Sequence, residues 1–171
     1  MRRRGFTIVE LLIVIVVIGI LAAVSLVAYS NVQDRGRTAK ITQDLASLEK
    51  AIVTARQLND DRTLTTITGS TGTSGACAGA GADADLSDQV TYPACWSAYR
   101  ASLDAISAAS LVNVRNLKDP WGWPYMIDEQ QGTVAGNCGS YDYVGVMQKP
   151  HLAGSWATTN IKYIPLAKTC A

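Results

Sequence analysis

Glu10 is the residue with the most chemistry to explain. Between Phe6 and Ala28 the sequence FTIVELLIVIVVIGILAAVSLVA carries no other ionisable side chain. A carboxylate at the centre of a membrane helix costs ~2.5–3.5 kcal/mol on insertion scales, and less near a helix end. Such an acid must avoid the membrane, find a cation, or carry a proton. The other reactive side chains lie far downstream. Four cysteines stand at Cys77, Cys95, Cys138 and Cys170. An even count in a domain held outside the cytoplasm predicts two disulfides, and four cysteines allow three pairings. We expect Cys77–Cys95, closing a glycine-rich loop, and Cys138–Cys170, tying down the C-terminal strand. The chain has no CxxC spacing and one histidine, His151, which argues against zinc. Asp83, Asp85 and Asp88 invite calcium, but their spacing is not that of an EF-hand and no glutamate closes the set. The expectation is a solvated loop with no metal and no cofactor. GxSxG, P-loop, HExxH and GxGxxG motifs are absent, so no enzyme activity is expected.

The element that must hold Glu10 is a helix. Phe6 to Tyr29 spans 24 residues. As a helix this is ~36 Å long, enough for a hydrocarbon core of ~30 Å. Arg2, Arg3 and Arg4 precede it, which keeps the N-terminus in the cytoplasm and sends the remainder out. A secretory signal peptide fits less well, although Leu21-Ala22-Ala23-Val24-Ser25 imitates a small-residue cleavage site. The apolar run exceeds the usual ~7–15 residues, and more helix follows it. Downstream, Ile41, Leu45, Leu48, Ile52 and Ala55 form one apolar stripe, with Arg37, Lys40, Asp44, Glu49, Lys50 and Arg56 off it. One helix is therefore expected from Phe6 to Leu58, ~80 Å long, apolar all round in its first half and amphipathic in its second. Gly36 is its weak point.

The string Gly5-Phe6-Thr7-Ile8-Val9-Glu10-Leu11-Leu12 after a basic leader resembles the class III signal of type IV pilins and type II secretion pseudopilins. The likeness continues through Gly19-Ile20-Leu21-Ala22-Ala23 and Ala28-Tyr29. It implies cleavage between Gly5 and Phe6 by a prepilin peptidase, N-methylation of the new Phe6 amine, and pairing of Glu10 with that amine on a neighbouring copy in a filament. The chain departs from the family where Val27 stands in place of a frequent proline. DPWGWPY, residues 119–125, resembles a turn of the major pseudopilin and of some other pilins. The calcium loop that follows in pseudopilins has no acidic counterpart after Tyr143, so no calcium site is carried over.

The remaining elements follow from pattern. Residues 69–85 are rich in Gly, Ala, Ser and Thr and read as a loop. Trp96 to Leu111 reads as a second helix with Tyr99, Leu103, Ile106 and Ser110 on one face. Asp119-Pro120-Trp121-Gly122 is a type I turn by residue type, with Trp121 and Trp123 serving turn and core. Tyr125–Asp128, Ser140–Met147 and Asn160–Leu166 read as strands, separated by turn signals at Gln131-Gly132 and Gly136–Gly139. The fold class is α+β: a long N-terminal helix packed by its outer half on a small antiparallel sheet, as in type IV pilins. The domain reading is a leader at 1–5, a membrane and filament-core helix at 6–29, and an extracytoplasmic domain at 30–171.

Net charge is +1 for 171 residues. Without Arg2–Arg4 the balance is 12 basic against 14 acidic side chains, which offers no strong nucleic-acid face. A few cations repeated along a filament could hold DNA weakly, but nothing in the sequence argues for it. The function expected is a structural filament subunit. Its partners would be copies of itself, prepilin peptidase, a pilus or secretion assembly machinery, and membrane lipid before assembly. The alternatives are a pseudopilin, a membrane-anchored binding domain that never polymerises, and an anchored enzyme.

Overall fold

The computed structural model describes residues 7–69, 73–77, 80, 84–129, 141–147 and 158–165, with backbone alone at 26–28, 30, 31, 74, 158 and 159. Gly5, Phe6, Asp83, both hairpin signals, Cys138, His151 and Cys170 lie outside the described residues. The chain divides into two units, Met1–Ala39 and Lys40–Ala171. Helix α1, Ile8–Leu58, supplies residues to both and runs unbroken through Gly19 and Gly36.

In the first unit, Ile8–Ser25 is long and apolar enough to cross a membrane, and none of it is buried by the rest of the chain. A helix that is hydrophobic all round needs lipid or protein on every side. The Ser25 hydroxyl donates to the Leu21 carbonyl at 2.7 Å, which satisfies it without water. Farther on, Arg37 pairs with Asp34 at 3.2 Å on an exposed surface.

The second unit has a core of its own. Ile41, Leu45, Leu48, Ile52 and Ala55, the expected stripe, are all buried. Helix α2 is Leu64–Thr68 and α3 is Thr73–Cys77; neither was legible in the threonine- and glycine-rich sequence. Thr63 caps α2 through its side chain, and Gly69 ends it at φ +67, a left-handed turn that suits glycine. Helix α4 is Pro93–Ser110. It begins earlier than the expected Trp96, because proline is pre-organised for the first helical turn and needs no N–H there. Its buried face carries Tyr99, Leu103, Ile106 and Ser110, as the spacing predicts.

Strands β1 (Tyr125–Asp128), β2 (Tyr143–Met147) and β3 (Thr158–Tyr163) form an antiparallel sheet in the order β1-β2-β3. Tyr125 pairs with Val146, and Tyr143 with Tyr163, with an irregularity between Val144 and Val146. β3 ends before the expected Leu166 because Pro165 lacks a ladder donor, and the Ile164 N–H turns instead to the Asp142 carbonyl at 2.8 Å. Both faces of β1 and β2 are covered, while Ile161 and Tyr163 of β3 stay exposed. Tyr125, Ile127, Val144 and Val146 join the α1 stripe and α4 in one cluster, while Met126 and Met147 join Cys77, Cys95, Leu86 and Trp123 in another. The architecture is α+β, a long N-terminal helix with a small antiparallel sheet.

Two of the charges expected off the stripe are buried. Asp44 accepts the Tyr125 hydroxyl at 2.7 Å and also meets Lys40. Arg56 bonds Asp142 and the Pro165 carbonyl, with both ionic side chains almost fully enclosed. Burial lowers the Arg56 pKa, and the Asp142 charge opposes that fall. A charge at a core position demands such partners, and these lie up to 109 residues away in sequence.

Candidate functional site

The chemistry of α1 is concentrated at its first turn. Thr7 and Glu10 form a reciprocal cap. Thr7 donates its backbone N–H to Glu10 Oε2 at 2.8 Å and its hydroxyl to the same oxygen at 2.7 Å. Glu10 N–H donates back to Thr7 Oγ1 at 3.2 Å. This is a capping box, which satisfies helix-start donors that have no partner inside the helix. A negative charge is also favoured at a helix N-terminus by the peptide dipoles. Glu10 therefore already has two donors from its own chain, and it is exposed. The reading of Glu10 from its isolation in an apolar run overlooked Thr7. The signal was present as Thr-x-x-Glu ahead of an apolar run.

Cys77 and Cys95 are bonded, with Cα atoms 4.5 Å apart. The bridge joins α3 to the first turn of α4 and lies in the cluster that covers one sheet face. The expected Cys138–Cys170 pair falls outside the described residues. Asp85 and Asp88 organise their own loop. Asp85 Oδ1 accepts Ser87 N–H at 3.0 Å and the Trp123 indole N–H at 2.9 Å. Asp88 accepts Val90 N–H, Thr91 N–H and the Thr91 hydroxyl, and these bonds lower its pKa. Among the described residues no group of three or more His, Cys, Asp or Glu is placed to hold a metal.

The 119–122 turn forms as its residue types predict. Gly122 N–H donates to the Asp119 carbonyl at 3.0 Å, and Gly122 takes φ +84. Asp119 Oδ1 accepts the N–H groups of Trp121 and Trp123 at 2.9 and 2.7 Å. Trp123 is buried in the second cluster and Trp121 is exposed at the turn. Buried acids escaped sequence reasoning, among them Asp128, Asp142 and Glu129. Glu129 is fully enclosed, accepting Thr68 Oγ1 at 2.6 Å and Ser102 Oγ at 3.2 Å.

An apolar helix with a capped acid at its first turn is joined in sequence to a small disulfide-bonded α+β unit. Residues 1–26 match the family described as the prokaryotic N-terminal methylation motif. The chain is 42% identical over 50 residues to a type IV major alpha-pilin of Moraxella bovis, covering 29% of this chain and 31% of that one. It is 36% identical over 52 residues to the type IV major fimbrial protein FimA of Dichelobacter nodosus, covering 30% and 33% respectively. The chain thus spans about a third of the length of the relatives it matches. No solved structure matches. The N-terminal segment is a class III, prepilin-type segment of the type IV pilin superfamily.

Proposed function

We propose that the chain is a structural subunit of a type IV pilus-like filament. The observation that carries this reading is Glu10: a lone acid, capped by Thr7, one turn into a helix whose next residues are apolar on all sides. The subunit waits in the cytoplasmic membrane as a single span with its N-terminus inside. Prepilin peptidase removes residues 1–5 by cutting between Gly5 and Phe6. The new α-amine on Phe6 has an ordinary pKa of ~7.7–8.0, so it is a cation near neutral pH, and it is then methylated.

Two opposite charges attract far more strongly inside a packed helical bundle than in water. Glu10 of an incoming subunit meets the Phe6 amine of a copy already assembled, and Thr7 keeps the acid oriented until then. The apolar surface of Ile8–Ser25 exchanges lipid for identical helices. The assembly machinery in the membrane drives extraction. The unit from Lys40 onward lies outside the cytoplasm and forms the outer layer of the polymer.

The names of the relatives, major pilin and major fimbrial protein, favour a pilus subunit. The Asp119–Gly122 turn, which resembles that of the major pseudopilin, supports a pseudopilin of a type II secretion system as the second reading.

The test is Glu10→Ala. Membrane insertion and leader removal should proceed normally, while filament yield measured by shearing and electron microscopy falls at least tenfold. Normal yield would remove Glu10 from assembly.

A further inference from the structure

A cationic cavity lies beside the first half of α4, within the unit from Lys40 onward. Its volume is about 210 Å³, and its charged and amide lining comprises Gln89, Arg100, Arg115, Asn116 and Lys118. Three cations thus face one small space. Arg100 is held in place: its guanidinium carbon lies 5.5 Å from the centre of the Trp96 ring, and the group donates to Gln89 Oε1. Arg115 uses Nε on Asp104 at 2.9 Å, which leaves its two terminal nitrogens for another acceptor. Lys40 donates to the Lys118 carbonyl at 2.6 Å and fixes the backbone beneath Lys118. Among the described residues, no carboxylate pairs with Arg100 or Lys118.

The lining narrows the ligand class. Trp96 and Tyr99 line the cavity but are 5% and 1% exposed, so neither offers a ring face on which a nucleic-acid base could stack. The space is smaller than the ~300–1,000 Å³ of a drug-sized site, so it takes one compact group. The Gln89 and Asn116 amides provide donors and acceptors suited to hydroxyls beside a negative charge. We propose that this cavity binds one carboxylated sugar of an acidic polysaccharide. The guanidinium of Arg115 and the Lys118 ammonium take the carboxylate, and the two amides take ring hydroxyls.

The assignment is independent of filament assembly and is tested on the full chain in neutral detergent micelles. Trigalacturonate is the probe, titrated by calorimetry at fixed salt. Arg115→Gln with Lys118→Gln should weaken binding at least tenfold. Lys50→Gln with Arg62→Gln makes the same change of charge on exposed residues outside the cavity and should alter affinity less than twofold. No saturable binding, or equal weakening in both variants, overturns the proposal. Displacement by inorganic phosphate as effectively as by galacturonate would show that charge alone is read, and overturns it. Duplex DNA of matched charge binding more tightly, with the same cavity dependence, would replace the polysaccharide by nucleic acid.

Discussion

Glu129 shows what burial does to one carboxyl group. It has no exposed surface, and burial pushes its pKa from 4.5 up to about 7, with the charges of Asp142 and Asp128 adding to the rise. The hydroxyls of Thr68 and Ser102 act in the opposite direction. The folded chain therefore holds a proton that the unfolded chain releases near 4.5. Stability from this group is intact below that value and is lost as pH rises towards 7 and above. The loss is on the order of 3 kcal/mol by the conversion of ~1.4 kcal/mol per pKa unit. Glu129→Gln, which stays neutral, should flatten the urea-unfolding profile between pH 5 and 8, measured on the full chain in detergent. An unchanged pH slope would remove Glu129 as its source. Residue-scale chemistry was legible only where neighbours in sequence supply it. Glu10 and its Thr7 cap sit in one tetrapeptide, and Asp119 sits in its own turn. Asp44, Arg56 and Glu129 meet partners 81, 86 and 61 residues away, and no local pattern signals a charge that will be buried with such a partner.

At the scale of elements, periodicity carried most of the information. The α1 stripe and the α4 face were visible because buried positions recur at helical spacing, five in the first and four in the second. β1 has the bounds expected of it, Tyr125–Asp128. The short helices α2 and α3 were hidden, because five-residue helices in Thr- and Gly-rich sequence are held by packing rather than by propensity. The Cys77–Cys95 bridge is what holds α3 against α4, closing a loop of sequence separation 18. The chain-entropy account assigns such a loop about 3 kcal/mol. Cys77→Ala with Cys95→Ala should destabilise the outer unit by about 2–4 kcal/mol on the same account. Hydrogen exchange should report it locally. Amides around Leu86, Trp123 and Met126, in the cluster the bridge closes, should lose protection first, and those of Leu48 and Ile52 last. Equal protection in the reduced and bridged forms would mean that packing alone holds the loop.

For the whole molecule, two units with opposite solvent requirements share one helix. Ile8–Ser25 buries nothing within its own chain, so its apolar surface must be met by lipid or by other protein. Lys40–Ala171 buries two apolar clusters of its own. The proposed storage in a membrane and later polymerisation rest on that division, with Glu10 at the first turn of the apolar part. The proposal requires the α-amine that leader removal creates on Phe6. The measurement that tests it most directly is the mass of the N-terminal peptide from protein isolated from its native membrane or filaments. The account predicts a chain that begins at Phe6 and carries one added methyl group. A chain that retains Met1 and its arginines, with no methylated Phe6, would contradict it.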